Sequence, residues 1–335
     1  MASSRGDKMV GKGRKRVTVI RGDGIGPEVI DSALTVLETA GADLEEVMLE
    51  VGYDRWRRTG QAIGEEDLNT IKNTDCVLFG AITTPPDLNY RSVLLRLREE
   101  LDLYANIRPF SNEKLDFIIV RENTEGLYSG IEDLGDEESK TMRIITRHGS
   151  ERIAKKACNI ASRRHKLTIV HKSNVLKSDN LFLRTCREVA ELNGIPYEDM
   201  LVDAAAYNLV VRPERFDVLV TTNLFGDILS DEAAGIVGSL GLCSSANLGD
   251  KFAMFEPIHG SAPDIAGQGI SNPIGAIRSA AMMMEWFGQM EMAKRIEMAV
   301  HWALSHGFKT PDLGGNCRTA DVTQAIVGYL QTQTS

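Results

Sequence analysis

None of the 335 residues lie in an apolar run approaching the roughly 20 residues that a bilayer-spanning helix needs, so no membrane partner is expected. Excess positive charge is also missing. The formal net charge is −9, which argues against a general nucleic-acid binder and leaves small-molecule chemistry open. The five cysteines, Cys76, Cys158, Cys186, Cys243 and Cys317, are odd in number and carry no metal-type spacing. They read as reduced thiols, and the expected location is the cytoplasm. The opening stretch MASSRGDKMVGKGRKR lacks the apolar core of a secretory signal and is expected to be a disordered basic tail over residues 1–15. An intact dinucleotide fingerprint is absent too. Gly22, Gly24 and Gly26 begin one in RGDGIGPE, but Pro27 stands where the third glycine of GxGxxG is due. What remains is a strand, a tight glycine turn and a helix opened by Pro27.

The length exceeds the usual single-core size and implies two lobes. Short β-branched or apolar strands at 17–20, 76–79 and 117–120 alternate with amphipathic helices at 91–104, from Ser150 to about 164, and at 181–194. The strand LTIVHKSNV spans 167–175, and MRIITR resumes the β pattern after an exposed acidic excursion, EDLGDEESK. Alternation of this kind predicts an α/β fold.

TTNLFGDILSD, residues 221–231, follows the apolar run FDVLV and places Asp227 and Asp231 four apart, on one face of a helical turn. Two such carboxylates suit a hard divalent cation such as Mg²⁺ or Mn²⁺. Alone, they are more readily a solvated helix face. The helix near Arg91 carries Leu94, Leu95 and Arg98 on one side, with Ser92 in its first turn. Arg98, Arg108 and Arg121 form a guanidinium set suited to bidentate carboxylate binding, although each taken singly reads as a surface ion pair. Tyr128 ends the polar stretch RENTEGLY and offers a phenolic proton. Lys172 and Asn174 lie in LTIVHKSNV, where apolar neighbours would lower the lysine pKa toward that of a base; the alternative is a lysine emerging at a strand end. Asp203 follows an apolar segment, and the loop EPIHGSAPDIAGQGISNP carries His259, Gly260, Ser261, Asp264 and Asn272 among glycines that permit close backbone approach to a ligand.

In chain order, GDGIGPE, LRxxLDLYANIRP, RENTEGLY, HKSNVLK, NLFGDILSD, EPIHGSAPDIAG and TPDLGG together resemble the isocitrate, homoisocitrate and 3-isopropylmalate dehydrogenase family of β-decarboxylating dehydrogenases. The TTP and NYRS stretches are closest to archaeal isocitrate/homoisocitrate-type members. The resemblance implies a two-lobed, non-Rossmann fold. Residues 16–104 and 244–335 would build a large cofactor lobe, and 105–243 a small lobe with the dimer interface. It further implies substrate binding by Arg98, Arg108 and Arg121, catalysis by Tyr128 and Lys172, and Mg²⁺ or Mn²⁺ on Asp203, Asp227 and Asp231. Lys172 and Asp203 would serve the neighbouring subunit's site, so a homodimer with shared sites is implied, with a tetramer of such dimers as an alternative. NAD rather than NADP follows from Asp264, with Thr83, Thr84, Asn174, His259, Gly260, Ser261 and Asn272 as further cofactor contacts. Ser92, helped by Arg91, Arg96 or the helix N-terminus, would read the distal carboxylate of isocitrate or homoisocitrate. Leu94 and Leu95 keep 3-isopropylmalate as the alternative. A noncatalytic regulatory subunit and a generic dinucleotide-binding module are further alternatives. The first is opposed by the full catalytic set, the second by Pro27.

Overall fold

The computed structural model describes residues 14–86 and 90–333. Most of the expected basic tail, and Asn89 of NYRS, lie outside the described residues. Lys15 is not part of a tail: it begins strand β1 (Lys15–Gly22) because its backbone pairs in register with Leu44 of β2 (Leu44–Leu49).

The remaining strands are β3 (Cys76–Ala81), β4 (Ala105–Ser111), β5 (Asp116–Glu122), β6 (Glu132–Asp133), β7 (Lys140–Thr141), β8 (Leu167–His171), β9 (Tyr197–Leu201), β10 (Val218–Thr221), β11 (Ser244–Leu248) and β12 (Ala253–Pro257). Apart from β6 and β7, which form an exposed two-stranded arm, they join one sheet in the order β2-β1-β3-β12-β11-β4-β5-β10-β8-β9. Neighbours run parallel at both ends, while the β12-β11, β11-β4 and β4-β5 junctions in the middle are antiparallel. Strands from 105–243 therefore form one contiguous half of the sheet, and strands from the flanking segments form the other.

Among the described residues, α1 (Gly26–Ala40), α2 (Tyr53–Thr59), α3 (Glu65–Lys72) and α4 (Val93–Glu100) precede β4. Then come α5 (Arg147–Ala161), α6 (Asp179–Leu192), α7 (Val202–Val211) and α8 (Asn223–Val237), and finally α9 (Ile274–Trp286), α10 (Met290–Ser305) and α11 (Thr319–Thr332). Helices on the sheet explain why β3, β8, β10 and β12 are buried at every position, and why β3 and β10 read as near-continuous apolar runs rather than alternating ones. Edge strand β2 instead leaves the adjacent Glu45 and Glu46 exposed, a charged edge that discourages pairing with another chain.

Four boundaries differ from expectation. Helix α5 opens three residues before Ser150, because Thr146 caps it by accepting the Gly149 N–H at 2.9 Å. Helix α4 covers only part of 91–104: Ser92 caps its start, and Asp102 takes a left-handed φ of 47° just past its end. MRIITR forms no strand, only an isolated bridge between Ile144 and Gly126. Strand β8 stops at His171, so Lys172 lies in the turn that follows, where its N–H donates to the buried Asp179 carboxylate at 2.7 Å.

Asp217 ties together the starts of three parallel strands. Its carboxylate accepts from Arg164 Nη1 at 2.9 Å and from the Lys166 N–H at 3.0 Å, while its carbonyl accepts from the Ile118 N–H at 2.8 Å. Partial burial would raise its pKa, but Arg164 and the backbone N–H groups hold it below the usual carboxylate value. A depressed folded pKa stabilises the fold above the unfolded pKa of about 3.9, and that stabilisation is lost as pH falls through the folded value. Asp217→Asn is expected to lose about 1–3 kcal/mol at neutral pH. Melting curves of variant and wild type should converge in acid as pH falls through the depressed folded value of Asp217.

Candidate active site

Side chains from α4, β4, β5 and α8 meet in a cleft of about 330 Å³. In the β4-β5 register Asn106 lies opposite Arg121, and Arg108, two residues on, shares the face of Asn106. Helix α4 supplies Leu94, Leu95 and Arg98 at helical spacing, and α8 supplies Asp227. Ser92, Tyr128, Thr84, His259 and Gly260 complete the expected residues on the cleft wall.

The three guanidiniums are buried, and each is held in place. Arg121 donates to Asn223 Oδ1 at 2.7 and 3.1 Å and pairs with Asp227. Arg108 reaches the same Asp227 oxygen at 3.4 Å. Tyr128 donates to the other Asp227 oxygen at 2.8 Å, beneath the Arg121 guanidinium, which lies 5.4 Å from its ring centroid. Burial, then Arg108 and Arg98, push the Arg121 guanidinium down to about 9. Burial likewise lowers Arg108, against the pull of Asp227. Burial would raise the Asp227 pKa, but Arg121 and Arg108 hold it below the usual range. Asp231 moves the other way, raised by burial and then by the Asp227 charge. Burial, followed by Asp227, also raises Tyr128, which therefore carries its proton at neutral pH. The cleft thus concentrates positive charge that only part of the protein's own anions offset, an electrostatic setting for a polyanionic ligand.

Lys172 and Asp203 do not line this cleft. They pair with each other at the start of α7, and the Lys172 ammonium, with a backbone N–H, holds Asp203 below the usual carboxylate range. Lys172 is therefore ion-paired in its own protomer, not enclosed by apolar neighbours. Asn174 is exposed beside it. Among the described residues no group of three or more His, Cys, Asp or Glu could hold a metal by itself. Asp227 and Asp231, adjacent on one helix face, fit half of a divalent-cation site: Asp227 is kept ionised by the arginines, and its charge in turn raises Asp231, a repulsion that a cation between them would relieve.

Of the expected helpers for Ser92, Arg96 is turned away, donating to the Ile63 carbonyl at 2.9 Å and pairing with Glu65, and Arg91 is exposed. Ser92 Oγ accepts from the Leu95 N–H at 3.4 Å, which leaves its own proton free to donate.

The incomplete fingerprint has a packing explanation. Cβ atoms at Gly22 and Gly24 would lie 2.0 Å from the carbonyl oxygens of Ala81 and Ser261, and both glycines have positive φ, 76° and 60°. The turn threads between the loops after β3 and β12 instead of cradling a phosphate. Asp23 within it accepts the N–H groups of Tyr53, Asp54 and Thr83 at 2.9–3.0 Å, and Thr83 meets Ser261 Oγ at 2.7 Å. On these loops His259 Nε2 is buried without a partner, and burial lowers the imidazole pKa. Asp264 is exposed, and Asn272 is buried, held by Asp312 at 3.0 Å. An orphaned imidazole nitrogen beside an open glycine backbone at Gly260, where a Cβ would meet nothing within 4 Å, fits an extended ligand laid along this loop.

Sequence reasoning missed the polar frame behind the arginines: Asn106, Asn123, Asn223, Asn247 and Glu256. One signal was available. In SSANL, Ser245 and Asn247 occupy one face of a central strand, where an apolar residue would be expected. Gly226 was missed as well. A Cβ there would lie 2.6 Å from Arg121 Cγ, so Gly226→Ala, which usually favours a helix, should instead displace Arg121. Overpacking of about 1–3 kcal/mol in a thermal melt, with a raised KM in steady-state assays, is the expected result.

A family model described as isocitrate/isopropylmalate dehydrogenase matches residues 16–326. Isocitrate/homoisocitrate dehydrogenase of Thermus thermophilus is 48% identical over 330 residues, 95% of this chain and 99% of the relative. 3-Isopropylmalate dehydrogenase of Archaeoglobus fulgidus is 45% identical over 329 residues, 94% of this chain and 99% of the relative. Among solved structures, isocitrate dehydrogenase from Methylococcus capsulatus superposes with a TM-score of 0.91 at 43% identity, covering 95% of this chain and 99% of that one.

Proposed function

Because the chain belongs to the isocitrate/isopropylmalate dehydrogenase family, we propose that it oxidatively decarboxylates a 3-substituted malate, isocitrate or homoisocitrate, with NAD as oxidant and Mg²⁺ or Mn²⁺ bound. The observation that carries the reading is the convergence of Arg98, Arg108, Arg121, Tyr128 and Asp227 on one cleft. Three fixed guanidiniums fit the carboxylates of a malate core, orient C2 and C3, and exchange Asp227 for substrate as countercharge. Lys172 removes the C2 hydroxyl proton. A bound dinucleotide would supply the oxidant for the C2 hydride, and a divalent cation held on Asp227 and Asp231 would supply Lewis acidity at the C2 oxygen. Tyr128, which keeps its proton at neutral pH, supplies it to C3 after carbon dioxide departs. Asp227 and Asp231 would hold the cation together with the partner subunit's Asp203. Thr83, Thr84, His259, Gly260, Ser261 and Asn272 would hold the dinucleotide, with the partner subunit's Asn174. Exposed Asp264 would accept the ribose 2′-hydroxyl and repel a 2′-phosphate, favouring NAD.

Since Lys172 does not line the cleft of its own protomer, this reading has it serve the neighbouring subunit's cleft, and the working unit would be a homodimer. The apolar residues on α7 and α8 support this: Tyr207, Val210 and Ile228 are exposed by 65%, 63% and 59%, a patch that a second copy would cover. Among the described residues no helix is long and apolar enough to cross a membrane.

Ser92, at the α4 N-terminus, would donate to the distal carboxylate. Leu94, Leu95 and Ile82 on the same wall favour the second reading, 3-isopropylmalate. The test compares kcat/KM for isocitrate, homoisocitrate and 3-isopropylmalate in wild type and Ser92→Ala. A loss of about tenfold confined to the acid-armed substrates supports Ser92 as reader, and an unchanged ratio removes that role. Turnover by the purified chain alone excludes a noncatalytic subunit.

A further inference from the structure

Asn247 is fully buried on β11, and its single side-chain oxygen receives three N–H donors from distant parts of the chain. Arg98 Nε donates at 3.1 Å, Asn106 Nδ2 at 2.9 Å and Asn123 Nδ2 at 2.9 Å. Its own amide donates to Glu256 Oε1 at 2.7 Å, and that oxygen also accepts from Arg98 Nη2 at 3.2 Å. Asn106, which Asn247 faces directly in the β11-β4 register, accepts Arg108 Nε on its oxygen at 3.1 Å. One amide is thus bonded to Arg98 directly and to Arg108 through a single intermediate.

We infer that Asn247 is a positioning residue for substrate: it sets the distance and orientation of Arg98 relative to Arg108, and so the spacing of carboxylates the cleft accepts. The inference rests on the proposed binding of a malate-type acid by these arginines. Its physical basis is a competition for Arg98. Glu256 is the nearest carboxylate and, unopposed, would draw the guanidinium into a two-pronged ion pair. Asn247 prevents this by occupying Nε and by holding Glu256 Oε1 with its own N–H. An amide suits the task because it accepts and donates at once and adds no charge. A carboxylate in its place would add a second anion to compete with substrate, and an aliphatic residue would leave the Arg98, Asn106 and Asn123 donors unsatisfied in a buried site.

Ser245 supplies the control. It lies two residues away on the same face of the same strand, is equally buried, and donates to the Glu256 carbonyl at 3.2 Å without touching an arginine. The experiment is calorimetric binding of isocitrate to the metal-free protein, and separately of NAD, with a thermal melt of each variant. Asn247→Ala should weaken isocitrate binding by about tenfold or more, leave NAD binding within about twofold, and keep a cooperative melt. Asn247→Ser, which retains a shorter oxygen, and Asn106→Ala should fall between, and they carry the test if the alanine variant does not fold. Ser245→Ala should leave both affinities unchanged. Isocitrate binding unchanged in Asn247→Ala, equal losses for isocitrate and NAD, or the same loss in Ser245→Ala would each overturn the inference, as would a wild type that does not bind isocitrate. A wild type that binds but turns over none of the three acids defeats the proposed reaction, while the binding ratios still decide the role of Asn247.

Discussion

Asp227→Asn is expected to lower kcat/KM by about 10³-fold or more, because one carboxylate serves three functions in the cleft. It is the countercharge for Arg108 and Arg121, the acceptor that orients the Tyr128 hydroxyl, and one of the three carboxylates of the proposed cation site. The amide keeps the shape and one acceptor but removes the charge. Two buried guanidiniums are then left facing each other, so the ligand-free protein should also lose stability. Arg121 is almost fully enclosed whereas Asp227 is 37% exposed, so the loss is set at about 1–2 kcal/mol, below the value for a fully buried pair. Steady-state kinetics and a thermal melt with and without isocitrate separate the effects. Added isocitrate should recover part of the lost stability, since its carboxylates replace the missing countercharge.

The second large effect is a gain. Lys172→Ala and Asp227→Asn should each be nearly inactive alone, yet co-expressed they should recover about a quarter of wild-type activity. In a mixed dimer, the site built on the Lys172→Ala protomer keeps Asp227, the arginines and Tyr128, and receives the partner subunit's Lys172. The second site carries both defects. Random pairing makes about half the dimers mixed, each with one intact site. Activity that stays at the sum of the two parents would place Lys172 within its own protomer's site, against the structure's pairing of Lys172 with Asp203 outside the cleft.

The α/β alternation was legible because buried strands such as β3 and β10 read as unbroken apolar runs and the helices between them as amphipathic. The arginines, Tyr128 and Asp227 were singled out by the motifs that resemble the family, since each arginine taken alone reads as a surface ion pair; the fold places Arg98 on α4, Arg108 within β4, Arg121 near the end of β5 and Asp227 on α8. Boundaries set by a single side chain or dihedral were less legible: the Thr146 cap moved α5 forward, and the left-handed Asp102 closed off the segment after α4. The β11-β12 hairpin that inserts between β3 and β4 could not be read locally either, because the pairing joins segments more than a hundred residues apart. It is this insertion that brings Asn247 and Glu256 behind Arg98. Arg96 was misassigned for a related reason, since its partners Ile63 and Glu65 arrive from α3 and the loop before it.

The most direct measurement of the central claim is the stoichiometry of products. Purified protein is supplied with NAD, Mn²⁺ and, in turn, isocitrate, homoisocitrate and 3-isopropylmalate, and NADH and carbon dioxide are followed together. The account predicts equal amounts of both from at least one of the three acids, with both falling to background when the metal is chelated. NADH without carbon dioxide, or neither product from any of the three, would contradict it.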